Sequence, residues 1–204
     1  MNFKKIGAFF LLTILGFLTC TLTPAAAGGV LYVCDAGNDQ NTGGSVSTAL
    51  KTLNAALIRL GEEGGTIVVC GPLTLAADAE LSSSAGKTTV TSVYGGVDYA
   101  DQNGARIIFA GNVYLSSELV FENLKLYFQK NTPMVFCQGN SVTFGAGLTC
   151  SYISAAPAIW GGTYCGRSGV TAASATYYDY TIRIDSGTWY YVRGGSLRDG
   201  EEQP

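Results

Sequence analysis

The sequence predicts an all-β chain, a parallel β-helix closed at its N-terminal end by one α-helix. Three observations carry that prediction. One amphipathic helical stretch stands near the start, and everything after it breaks into short β-rich runs separated by Gly, Asn, Ser and Asp. Several of those runs, IVVC and RIIFA among them, are apolar without alternation, as strands covered on both faces are. Similar segments start at positions 105, 133 and 157 (ARIIFAG, PMVFCQGNSVTFGAGL, PAIWGGTYC), at intervals inside the roughly 20–50-residue band that marks solenoids and arrays.

Taken in order, the chain opens with Lys4 and Lys5, an apolar run from Ile6 to Leu18, and Pro24-Ala25-Ala26-Ala27. A positive start, a short apolar middle and a small-residue end make a secretory signal peptide over residues 1–27. The domain then covers residues 28–204. The apolar run falls short of the roughly 20 residues a bilayer requires and no later segment qualifies, so no membrane span is expected. A lipid anchor on Cys20 would need a lipobox that Phe17-Leu18-Thr19 does not supply.

A strand, VLYVC, begins at Val30, and the loop NDQNTGGS leads to a helix expected from Ser47 to Leu60. Leu50, Leu53, Leu57 and Leu60 recur at three- and four-residue steps and share one face. Ser47 or Thr48 serves as its cap and Gly61 as its stop. After GEEGG the strands are TIVVC, TTVTSV, ARIIFA, LVFENLKLYF, PMVFC, SVTF, TIRI and TWYYV. A β-sandwich would also use many short strands. It is disfavoured because no Asn-Gly or Asp-Gly joins two neighbouring runs, so no tight two-residue hairpin is expected. Past TWYYVR the sequence reads GGSLRDGEEQP. Solenoids cover their last coil, so the reading favours the front part of a longer protein over Arg198 to Pro204 as a minimal cap.

Charge and residue usage exclude several functions. The 204 residues hold 12 Lys and Arg against 15 Asp and Glu, and residues 1–27 take only basic ones away. A charge-poor, mildly acidic chain is unsuited to nucleic acid, whose binding rests on neutralising phosphates. Histidine is absent, which removes Ser-His-Asp and Cys-His nucleophile systems and His-ligated zinc. Cys34, Cys70, Cys137, Cys150 and Cys165 form no C-x-x-C pair, against a zinc ribbon or a thioredoxin-type site. Core packing and disulfides stay open for the set. Cys34 and Cys70 end the two strands that flank the helix. Strands joined by a helical crossover tend to lie side by side and parallel, so these two residues are expected to be close.

The run from Val30 to Leu75 resembles the N-terminal cap of secreted right-handed β-helix proteins of the pectate-lyase-like superfold. SVYGGVDYADQNGARIIFAG, LVFENLKLYF, FCQGNSVTFGAGL and TIRIDSGTWYYVRGG are similar to successive coils of large secreted β-helix proteins of gut-type bacteria. The resemblance spans about Leu31 to Gly195. It implies a right-handed parallel β-helix exported from the cell, and it carries no catalytic assignment, because its motifs mark turns between coils.

Candidate chemistry is sparse. In TIRIDSGTWYYVRGG, alternation sets Arg183 and Asp185 opposite Ile182 and Ile184, and Trp189, Tyr191 and Arg193 opposite Tyr190 and Val192. With the Ile, Tyr190 and Val192 positions in the core, the face formed by Trp189, Tyr191, Arg193, Arg183 and Asp185 is the expected binding surface for a polysaccharide or cell-surface glycan. Asp98 with Asp101, and the loop of Asp35, Asn38, Asp39 and Asn41, offer oxygen donors without a calcium-loop spacing, and turn formation explains them equally well. Glu118 and Glu122 would be a carboxylate pair for glycoside hydrolysis only at a suitable separation. No residue set calls for a metal or a cofactor, and none is assigned a catalytic role. The expected function is a secreted or cell-surface, non-catalytic module for adhesion or glycan contact. The alternative is a polysaccharide lyase or glycosidase acting on acidic glycans.

Overall fold

The computed structural model describes residues 29–81, 86–129, 134–153, 157–160, 181–193, 197–198 and 201–202. The expected signal peptide of residues 1–27, Cys20, Cys165 and the tyrosines at 177, 178 and 180 lie outside the described residues. What is described is mostly β, with parallel sheets and few helices, and no sheet closes on itself. Among the described residues no helix is long and apolar enough to cross a membrane.

The chain proceeds in successive passes. The first holds β1 (Gly29–Val33) and, after a 3-10 turn at Val46–Thr48, the helix α1 (Leu53–Leu60). The second holds β2 (Gly65–Val69), β3 (Pro72–Leu75) and β4 (Ala79–Glu80). The third runs β5 (Thr88–Thr91), a small hairpin of β6 (Val93–Tyr94) and β7 (Val97–Asp98), the short helix α2 (Tyr99–Gln102), β8 (Arg106–Phe109) and β9 (Val113–Tyr114). Then come β10 (Leu119–Glu122), β11 (Lys125–Phe128) and β12 (Met134–Phe136), followed by β13 (Val142–Phe144), β14 (Thr149–Tyr152) and β15 (Ala158–Trp160). The last pass supplies β16 (Ile182–Ile184) and β17 (Tyr191–Arg193), with a final antiparallel pair, β18 (Leu197–Arg198) and β19 (Glu201–Glu202).

Equivalent strands of successive passes pair in parallel. The first sheet is ordered β1-β2-β5-β10-β13-β16, the second β3-β8-β11-β14 and the third β4-β9-β12-β15-β17. Each complete pass therefore visits the three sheets in the same order. Register is unbroken along the first sheet: Leu31, Ile67, Val90, Phe121, Phe144 and Ile184 face one another strand by strand. All but Ile184 are buried. In the second sheet Leu73, Ile107 and Leu126 form one buried column and Leu75, Phe109 and Phe128 the next. Rings stack where they meet: Phe109 on Phe128 at 4.5 Å and Phe121 on Phe144 at 5.6 Å. At the far end Ile184 is 37% and Val192 42% exposed.

Two expectations need correction. The helix begins at Leu53, not Ser47, because the 3-10 turn at Val46–Thr48 gives way to an extended segment from Ala49 to Thr52. Leu50 donates its N–H to the Tyr32 carbonyl at 2.8 Å and accepts from the Cys34 N–H at 3.0 Å, pairing with β1. The cap is Thr52, whose hydroxyl accepts from the Ala55 N–H at 3.1 Å. The second correction is the β6–β7 hairpin, a tight two-residue turn through Gly95 and Gly96. Both have positive φ, 60° and 80°, as the hairpin turn that matches strand twist demands, and Gly-Gly meets that demand without Asn or Asp.

Of the four leucines expected on one helical face, Leu53, Leu57 and Leu60 are buried on α1 together with Ala56, Leu50 is buried from the extended segment before it, and Ile58 is 60% exposed. Leu57→Ala is expected to cost about 2–5 kcal/mol through lost burial and a cavity, and Ile58→Ala well under 1 kcal/mol. Urea unfolding of the two variants checks this; equal losses would mean that the helix does not belong to the core.

Candidate functional site

The expected surface at the C-terminal strands is only partly assembled. Arg183 and Asp185 do sit together: Arg183 Nε donates to Asp185 Oδ1 at 3.0 Å, and both are solvent-exposed. The hydrogen bond to that carboxylate and its charge raise the Arg183 pKa above its ordinary value. Trp189 does not join them. Its ring lies half-buried against Phe144, with centroids 4.3 Å apart, and edge-on to Phe128 at 6.3 Å. Its Nε1–H donates to the Ser186 carbonyl at 3.2 Å. Tyr190, expected inside, is 72% exposed. The physical reason is that residues 185–190 are not a strand, so period-2 alternation does not govern them. A bend through Asp185 and Gly187 turns the indole onto Phe144 and Phe128, both buried. The backbone of Tyr191 and Arg193 belongs to β17, and their side chains lie outside the described residues.

The oxygen-rich loops are committed to backbone. Asp35 accepts from the Thr74 N–H and hydroxyl at 2.8 and 2.7 Å. Asp39 accepts from the Lys51 and Thr52 N–H groups at 2.8 and 2.9 Å and from the Thr52 hydroxyl at 3.0 Å. That places a carboxylate at the start of α1, where the helix dipole favours it. Arg59 reaches back from the helix to the carbonyls of Asn41 and Asp39 and fastens the same loop. Asp98 caps α2 through the Ala100 N–H at 2.8 Å. Among the described residues no group of three metal-ligating side chains converges.

The arrangement that sequence reasoning missed is on the outer face of the second sheet. A groove of about 430 Å³ is lined by Arg106, Ile108, Lys125, Leu126, Tyr127, Gln129, Thr149 and Ser151. Strand alternation builds it. Burial of Ile107 and Phe109, and of Leu126 and Phe128, sends Arg106 with Ile108 and Lys125 with Tyr127 to the other side. The register Ile107–Leu126 and Lys125–Thr149 then sets Arg106, Lys125 and Thr149 in one row, and Ile108, Tyr127 and Ser151 in the next. Neighbouring strands are about 4.8 Å apart, so two cations stand side by side, an arrangement that repels unless an anion relieves it. Lys125 makes an exposed ion pair with Asp101 at 3.4 Å. None of the lining residues is a carboxylate. The signal was present in the sequence: aligning ARIIF with LKLYF on their terminal Phe puts Arg106 beside Lys125.

No protein-family model, curated protein or solved structure matches the chain.

Because the Trp189 ring covers Phe144 and Phe128, Trp189→Ala is expected to destabilise by about 2–4 kcal/mol, below the upper end for a fully enclosed ring. Arg183→Ala should leave the unfolding midpoint essentially unmoved, since its ion pair is open to solvent. Urea denaturation of the two variants checks the contrast, and an unchanged midpoint for Trp189→Ala would restore the outward-facing assignment.

Proposed function

We propose that the chain is an exported, non-catalytic binding module, built as a right-handed parallel β-helix with α1 over its first pass, that takes an anionic polysaccharide on the outer face of the second sheet. The recurring order of visits to three parallel sheets supports the solenoid part of this reading. The row of Arg106 and Lys125 beside Tyr127 carries the ligand part. Two adjacent cations attract the carboxylates or sulfates of an acidic glycan. The phenol ring offers a flat apolar surface with a polar edge, and Gln129, Thr149 and Ser151 supply hydrogen-bonding groups for hydroxyls. Arg183, Asp185 and Trp189 serve less well, because the first two satisfy each other and the indole is committed to the core.

The glycosidase alternative needs two carboxylates across the bond to be cut, and the groove lining provides none. A lyase acting beside a uronate carboxylate remains the second reading, favoured by the same cations that would bind the acid group.

Binding of the full chain to polygalacturonate and to a neutral glucan, measured by affinity electrophoresis, tests the proposal. The acidic polymer is expected to retard the protein and the neutral one not. Arg106→Ala and Lys125→Ala should each weaken retardation about tenfold, and salt above about 0.15 M should reduce it further. Equal retardation by both polymers, or wild-type behaviour of both variants, would overturn the groove assignment. Unsaturated uronate products would transfer the site to the lyase.

A further inference from the structure

The four described cysteines, Cys34, Cys70, Cys137 and Cys150, are thiols, and two of them are neighbours. β1 and β2 pair in parallel with Val33 opposite Val69. The ladder continues one residue further, the Cys70 N–H donating to the Val33 carbonyl at 3.0 Å. Cys34 and Cys70 therefore follow in register on adjacent strands, about 4.8 Å apart in the backbone, within the roughly 4.4–6.8 Å that a disulfide spans between Cα atoms. The Cys70 Sγ–H donates to the Val33 carbonyl at 3.4 Å, the residue that precedes Cys34 on the neighbouring strand. The next residue, Gly71, lets the chain press against Cys34: a Cβ there would stand 3.2 Å from Cys34 Cβ. Cys34 is half-buried, whereas Cys70 is 3% exposed. Cys137, buried in the core and pushed up to about 12 by that burial, has the features of an inert packing thiol.

We propose that Cys34 and Cys70 are the two halves of a disulfide that fastens the first pass of the chain to the second. The loop it closes contains the whole of α1 and the Asp39 turn, so the bond ties down the segment that covers the first strands. With a small-molecule disulfide as oxidant, the steps balance. The Cys34 thiol, the one solvent reaches, loses its proton and attacks one sulfur of the oxidant, releasing one thiolate and forming a mixed disulfide. The Cys70 thiol then loses its proton and attacks the Cys34 sulfur, forming the Cys34–Cys70 bond and releasing the second thiolate. The two protein thiols give up two electrons and two protons, and the oxidant becomes two thiols. Burial and the adjacent Cys34 push the Cys70 thiol up to about 12. This fits Cys70 as the second participant, acting only once Cys34 has been modified.

The test uses the full purified chain equilibrated in glutathione buffers from reducing to oxidising, quenched in acid, alkylated with iodoacetamide under denaturing conditions and mapped by peptide mass. A peptide pair joined through positions 34 and 70 is expected to accumulate as the buffer becomes oxidising. The thermal midpoint should rise by about 5–15 °C over that in dithiothreitol. Cys34→Ala, Cys70→Ala and the double variant should all lose this oxidant-dependent rise. If Cys70→Ala does not fold, Cys34→Ala at the half-exposed position carries the comparison. Complete alkylation of both residues across the buffer series, or a rise that persists in Cys34→Ala, would overturn the proposal.

Discussion

The structure depends on one constraint: the inward side chain of each strand must stack on its counterpart in the passes before and after. Along the first sheet this column runs Leu31, Ile67, Val90, Phe121, Phe144, Ile184 without a slip. A one-residue shift in any strand would send its apolar set to the opposite face. The stacking also dictates what polar groups the interior tolerates. Thr88 is fully buried at the start of β5, and its hydroxyl is satisfied by the Gly86 carbonyl at 3.1 Å. Ser92, equally enclosed, donates to the Asn123 carbonyl of the next pass at 2.5 Å. A buried hydroxyl without such a partner would cost more than the hydrogen bond is worth.

The outer surface inherits its order from the interior. Arg106, Lys125 and Thr149 form a row because Ile107, Leu126 and Cys150 form one on the other side of the same strands. A parallel sheet thus aligns chemistry between passes without any contact among the outward side chains themselves. Loop residues follow a different logic. Asp35 and Asp39 link segments remote in sequence by taking backbone N–H groups, Asp35 from Thr74 and Asp39 from Lys51 and Thr52, so their charge is spent on holding α1 and β3 to the first strand.

Legibility in the sequence followed the strength of the local period. The helix face was readable because Leu53, Leu57 and Leu60 have no other reason for their spacing. Its start was not, because the pairing of Leu50 with Tyr32 and Cys34 is a long-range interaction that outweighs local helical preference. The adjacency of β1 and β2, and with it of Cys34 and Cys70, followed from the crossover alone. Trp189 departs from the expected outward face because alternation does not hold through Ser186 and Gly187, where the chain bends and the large ring packs against the buried Phe144. The groove was overlooked for a different reason. Neither Arg106 nor Lys125 is notable alone, and their proximity appears only once two strands are laid in register. The hairpin at Gly95-Gly96 was missed because glycine pairs punctuate loops as readily as turns.

The third pass shows how this architecture treats length. Between β5 and β8 the chain departs to form β6, β7 and α2, and Tyr99 packs edge-on to Tyr32 at 6.1 Å. It then re-enters with Ile107 facing Leu73 on one side and Leu126 on the other, as if the excursion had not occurred. Corners and strands therefore carry unequal histories. Residues can be gained or lost at a corner without disturbing the stack, whereas a single insertion within β8 would turn Arg106 inward and Ile107 out. Variation in length among descendants of such a chain is channelled to its corners, and new surfaces can arise there while the interior is copied unchanged.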